Sequence, residues 1–446
     1  MVRPDYRGPG AALRPGRTLG TVTSTAPRPF PVGPLLLSTF LPTLLFSIGE
    51  GAIIPLLPAA AGDLGATLAL AGLVAGMIMI GELAGDIPSG WIVSRIGERG
   101  AMLGASAASI LGLVVCLLST SWVGLTIGVF VIGLATAVFA LARHAFMTSF
   151  VPITHRARAL SALAGAFRAG WLIGPFLAAG VVHVTGSVES VFWVHIVCCV
   201  AAVVVLLLVP DPATVLRRAQ AAADRAAPDD VVAVQASATV PESPQSLLGT
   251  LREHRGVLAR MGSGAALIGA LRASRTLILP LWAVSIGLAE TDTAIIIGIA
   301  GALDFALFYA GGQLMDRFGR GATAIPSMIG LGLGHLALAA SLSAADPVPW
   351  FVAVACVLAA ANGIGSGILM TIGADLAPPA DPAPFLGAFR FTGDAGNAAA
   401  PIVVSALTAL VSLPFAAVVM GVLGLGGAGA LARWIPRYLP RAAPRD

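Results

Sequence analysis

Ten ionisable side chains sit where charge is costly: Glu50, Glu82, Asp86, Arg143, Arg168, Arg272, Arg275, Asp304, Arg390 and Asp394 fall inside otherwise apolar runs. A charge at the centre of a bilayer costs at least about 2.5–3.5 kcal/mol on insertion scales, so such groups imply partners or a wet cavity. The chemistry open to them is ion pairing, proton loading and capture of a charged solute. An unpaired buried carboxylate can load a proton near neutrality, whereas one paired with arginine stays ionised. No Walker-type phosphate loop, metal-ligand spacing or nucleophile constellation accompanies them, which argues against ATP-driven pumping and against an enzyme. No cofactor or metal is expected. Cys116, Cys198, Cys199 and Cys356 lie in apolar runs without metal-type spacing and read as small packing residues.

The elements that position these charges follow from composition. The 446 residues are 57% hydrophobic and 11% charged, against about a quarter charged in soluble domains, so a water-soluble globule is excluded. A membrane-spanning window locates twelve runs, at 35–61, 68–94, 101–119, 123–150, 159–184, 190–209, 257–288, 292–315, 322–343, 350–376, 384–411 and 414–436. Each is long enough to cross a hydrocarbon layer about 30 Å thick as a helix. Runs such as AAVVVLLLV at 201–209 lack the alternation of a β-barrel strand. The fold class is therefore all-α integral membrane.

All 26 basic residues are arginine. Placing both termini in the cytoplasm puts every arginine that lies outside the runs on the inner side, a clean positive-inside pattern. Residues 1–34, rich in Pro, Gly and Arg, read as a disordered cytoplasmic tail, with 437–446 as a second tail. Residues 210–256 read as a cytoplasmic linker between six-helix bundles at 35–209 and 257–436. The expected location is the cell membrane, multi-pass. The net charge of +4 gives no reason to expect nucleic acid.

The two bundles repeat at an offset of 222. Gly90, Arg95 and Gly97 map onto Gly312, Arg317 and Gly319, and the word Gly-Ala-Phe-Arg at 165–168 recurs at 387–390. The string Gly312-Gln-Leu-Met-Asp316-Arg317-Phe-Gly319-Arg320 is a complete G-x-L-x-D-R-x-G-R, with a degraded copy at 90–98 in which Ser94 replaces the acid. Gly170, Gly174, Pro175 and Gly180 form a G-x-x-x-G-P pattern followed by glycine.

On these motifs, from about residue 35 to 436, the chain resembles the major facilitator superfamily of secondary transporters. The resemblance implies two pseudo-symmetric six-helix bundles, with helices 1, 4, 7 and 10 lining a central cavity. It implies a gating role for Gly90, Arg95, Gly97, Gly312, Asp316, Arg317, Gly319 and Arg320, with Arg95 and Arg317 holding the cytoplasmic side shut. The glycine-proline pattern is similar to the family's antiporter motif. From the residues alone, Gly170 and Gly174 form a small-xxx-small face for helix contact, and an arginine at a cytoplasmic turn can also serve only to set topology.

Offset and depth set Glu50 and Arg272 at the same height, and the cavity the resemblance implies then places them across it from one another, with Arg275 nearly one turn on. Glu50 is the leading proton-coupling carboxylate; the alternative is a permanent salt bridge. The resemblance implies helix 2 near helix 11 and helix 5 near helix 8, which predicts Glu82–Arg390 and Asp304–Arg168 as interdomain pairs, with Asp86 competing for Arg390 and Asp394 as its i,i+4 partner. Arg143 and Asn362 are further cavity candidates. The expected function is alternating-access transport of a small molecule, by proton-coupled export from a monomer. Alternatives are a proton-coupled importer of a polar or anionic solute, or a transport-inactive membrane sensor or scaffold.

Overall fold

The computed structural model describes residues 39–151, 153–209, 249, 252–341, 344–378 and 382–439, giving the backbone alone for 148–150, 153–158 and 383. The tail at 1–34 and nearly all of the 210–256 linker lie outside the described residues, as does the chain after 439. Among the described residues every regular element is helical.

Proline and glycine set the breaks. Helix α1, Leu41–Asp63, tightens to a 3-10 turn at Ile54–Leu56, where Pro55 and Pro58 withdraw amide donors. The run Leu68–Leu118 is one 51-residue stretch broken at Gly97, whose φ of 74° favours glycine, and divides into α2 (68–96) and α3 (98–118). Then come α4, Trp122–Phe150, α5, Ile153–Thr185, and α6, Ser190–Leu208. The second half holds α7, Arg255–Ser285, α8, Glu290–Phe318, α9, Gly321–Ala340, α10, Pro347–Leu376, α11, Pro382–Leu410, and α12, Leu413–Tyr438.

Ten stretches are long and apolar enough to cross a membrane. The 51-residue run is one of them, and Gly97 makes it two; the 29-residue α11 stands outside that set. The architecture is thus consistent with twelve crossings. Gly319, the repeat partner of Gly97, ends α8 with φ 88° and ψ 172°, close to the 74° and 167° of Gly97. The repeat therefore holds in backbone conformation as well as in letters. Gly319→Ala should cost about 1–2 kcal/mol through the left-handed penalty on a Cβ, read as a lower Tm, whereas Gly312→Ala, with open space at its Cβ, should leave Tm unchanged.

Packing repeats too: α1 against α5 and α7 against α11, α2 against α4 and α8 against α10, α3 against α6 and α9 against α12. The halves meet along α2–α11 and α5–α8, with α7 also touching α1 and α2. Away from the Gly97 and Gly319 turns this seam is tight. A Cβ on Gly72 would lie 2.9 Å from Ser405, and one on Gly298 would lie 2.9 Å from Phe176. Nearer those turns, Gly90, Gly165, Gly312 and Gly387 have nothing within 4 Å of such a Cβ. The seam glycines are thus tightly packed at one end, and these four have open space at the other, here termed the motif end.

Candidate functional site

Between the halves lies a cavity of about 310 Å³, lined by Glu82, Trp171, Arg168, Arg272, Arg275, Asp304, Asn362 and Asn397 among others. Its polar centre is Asp304 on α8. The Asp304 carboxylate lies 3.6 Å from Arg168 of α5 and 3.3 Å from Arg275 of α7, and accepts from Asn362 Nδ2 of α10 at 2.8 Å. Arg168 also stacks over Phe308, 4.5 Å from the ring centroid. The Arg168–Asp304 contact crosses the seam between bundles, where helices 5 and 8 were expected to meet.

Arg272 has no carboxylate of its own among the described residues; Nη2 donates to the Gly365 carbonyl at 2.5 Å. That carbonyl is available because α10 is discontinuous. Its helix runs from Pro347 to Ile364 and from Ile368 to Leu376, with Gly367 in the left-handed region at φ 79° between them. The glycines at 363, 365 and 367 are the sequence signal for this break, which the hydropathy run at 350–376 passed over. Arg168 and Arg275 thus share one carboxylate while Arg272 bonds a backbone carbonyl, leaving positive charge at the cavity wall.

Glu50 is not across the cavity from Arg272. It is fully buried within the first bundle, where its Oε1 accepts from Thr136 and its Oε2 from Trp171 Nε1, each at 3.0 Å. The offset of 222 equates depth along the helix but leaves the direction around it open, and Gly51, not Glu50, is the neighbour that lines the cavity. Trp171 does both, walling the cavity and bonding Glu50. Thr136 was missed because a hydroxyl in an apolar helix usually bonds its own backbone. Arg143 is buried on α4 and lies 4.7 Å from the Phe167 centroid, with no carboxylate within ion-pair distance among the described residues.

The expected Glu82–Arg390 pair does not form. Arg390 reaches Asp86 at 3.9 Å and Asp394 at 3.2 Å, so the competitor one turn nearer the motif end takes it. The arginine starts closer to that end than Glu82 does, and Asp86 removes the depth mismatch. Glu82 lines the cavity half-buried, with no ion pair or hydrogen bond among the described residues.

A family model for the major facilitator superfamily matches residues 39–401. The chain belongs to that family. It is accordingly a multi-pass membrane transporter and not an enzyme. Crystal structures of transporters share its fold. A D-xylose–proton symporter is 16% identical over 92% of this chain and 98% of that one, with TM-score 0.67. A POT family transporter in complex with a thioalcohol-conjugated peptide is 14% identical over 92% and 97%, with TM-score 0.69. The xylose transporter XylE from E. coli in an inward-open conformation is 15% identical over 92% and 97%, with TM-score 0.67. No curated protein matches the chain.

The superfamily signature is disengaged between halves. Arg95 lies over Trp91 at 5.1 Å and Arg317 over Phe318 at 5.2 Å; neither makes an ion pair among the described residues, so they do not hold this end shut here. Their neighbours act within bundles. Arg320 forks onto Asp375 of α10, with Nε at 2.7 Å and Nη2 at 3.3 Å, and Asp316 stands 3.8 Å away. Arg99 donates to the carbonyls of Leu206 and Leu207 at the end of α6.

Gly170 and Gly174 seat α5 on α1, where a Cβ would fall 2.5 Å from Ser47 and from the Ile48 carbonyl respectively. Pro175 lines the cavity, and Gly180 has open space.

Proposed function

We propose that this superfamily member carries a small molecule with an anionic group by alternating access, coupled to protons. The observation that carries the reading is the cavity wall on which Arg168 and Arg275 share Asp304 and Arg272 has only a backbone carbonyl among the described residues. An anion entering there competes with Asp304 for the same forked donors, which loosens the Arg168 contact that ties α5 to α8. Substrate and bundle movement are thereby linked. In this reading the motif end is the mouth of the state described, and the positive-inside arginine pattern supports a cytoplasmic placing of that mouth.

Glu50 is the coupling carboxylate in this reading. The hydroxyl of Thr136 can donate to an ionised Glu50 or accept from a protonated one, and Trp171 carries the difference to the cavity wall. Unpaired Glu82, directly on the cavity, is the second protonatable group. Glu50→Gln should abolish proton-driven flux in proteoliposomes with protein level near normal. Loss of coupling with Glu82→Gln but not with Glu50→Gln would move the role to Glu82, and unchanged coupling in both would remove proton coupling through either.

For direction, export in exchange for protons is the reading the α5 glycine-proline pattern supports. Import with a proton is the second reading, favoured by electrostatics: a proton loaded near the cavity strengthens binding of an anion there, and the proteins of similar fold include a D-xylose–proton symporter. Flux of a bound anion against an imposed pH gradient separates the two by sign. A sensor or scaffold would show no flux in either direction.

A further inference from the structure

At the motif end, away from the cavity, α7 and α12 bring three guanidiniums onto one indole. The Cζ atoms of Arg260, Arg433 and Arg437 lie 5.1, 5.5 and 5.1 Å from the Trp434 ring centroid. Tyr438 packs beside that ring at 6.4 Å, and its hydroxyl accepts from Arg260 Nη1 at 2.7 Å. The three arginines are exposed, while Trp434 and Tyr438 are half-buried. None of the three has a carboxylate within ion-pair distance among the described residues.

A cation over an exposed ring gains little from the ring. Three like charges within roughly one Debye length of one another repel. Setting topology requires arginines at this end of the chain but not their convergence on one ring, so the cluster is built to meet an anion. Its depth says which. Trp434 lies about twenty residues along α12 from Leu413, or roughly 30 Å at 1.5 Å per residue, which is one hydrocarbon thickness. That is the level of the lipid headgroups, where Trp and Tyr concentrate. A π-helical turn, Leu258–Gly262, widens α7 at Arg260.

We propose that Arg260, Arg433 and Arg437, gathered on Trp434, bind the phosphate of an anionic phospholipid headgroup. Guanidiniums fork onto phosphate oxygens, and basic pockets between membrane helices suit such headgroups. The lipid bridges α7 to α12 at the motif end.

The test reads Tm of the full-length purified protein with phosphatidylglycerol, with phosphatidylcholine and with inorganic phosphate. Phosphatidylglycerol should raise Tm by several degrees, and the other two should not. Combined Arg260→Gln, Arg433→Gln and Arg437→Gln should remove most of that increment, measured from the variant's own lipid-free Tm. Arg437→Gln alone should remove part of it. Arg252→Gln with Arg255→Gln, which strips exposed charge from the same end outside the ring cluster, should retain it. Equal increments from both lipids, an equal increment from phosphate, an unchanged increment in the triple variant, or an equal loss in the Arg252/Arg255 control would each overturn the site.

Discussion

Asp304→Asn will abolish transport and leave the folded protein substantially less stable. The carboxylate is 15% exposed and faces Arg168, Arg275 and Asn362, so the substitution strands guanidiniums that were taken from water on its account. Removing one partner of a buried pair costs about 3–5 kcal/mol because the other charge stays behind. The check is Tm together with uptake in proteoliposomes. Adding Arg275→Gln to Asp304→Asn should recover part of the lost Tm, since it withdraws one stranded charge; the cycle of single and double variants isolates that coupling. Charge reversal, Asp304→Arg with Arg168→Asp, should restore less, because Arg275 and Asn362 also depend on residue 304. An unchanged Tm in Asp304→Asn would show that the cluster does not need its carboxylate.

Gly174→Ala will cost both stability and flux, although it adds one methyl group. That methyl would sit 2.5 Å from the Ile48 carbonyl and 2.6 Å from the Ala52 amide. A carbon needs about 3.3 Å or more from a carbonyl oxygen, so α1 and α5 must separate. Both obstacles are backbone and cannot swing aside, and overpacking of this kind costs about 1–3 kcal/mol. Glu50 lies between Ile48 and Ala52 and is bonded to Trp171 of α5. The separation therefore stretches the proposed coupling bond. Gly180→Ala on the same helix meets open space and serves as the control, with Tm and flux expected at the level of the unaltered protein. An equal loss at both positions would argue against the α1–α5 contact as its cause.

Much of the architecture was legible because hydropathy is a property of local windows. Twelve apolar runs, the fold class and the duplication at an offset of 222 all follow from composition and spacing, and Gly97 and Gly319 share a backbone conformation as their matched positions imply. Seam pairing was legible in part: Arg168 and Asp304 meet because helices 5 and 8 are neighbours in the resembled fold and a long arginine side chain closes a depth mismatch of a few residues. The same symmetry failed for Glu50 and Arg272, since an offset fixes height along a helix but not the direction in which a side chain leaves it.

What the sequence by itself determined is a membrane-embedded, duplicated bundle with charges placed at known depths and arginines kept to one side. Only the tertiary structure decided partners. Arg390 goes to Asp86 rather than Glu82, Glu50 turns inward to Thr136 and Trp171, and the break in α10 offers Gly365 to Arg272. Insertion energetics act residue by residue, so they can be read from a string of letters. A choice among competing ion pairs a few ångströms apart depends on helix rotation and packing, which neighbouring helices set jointly.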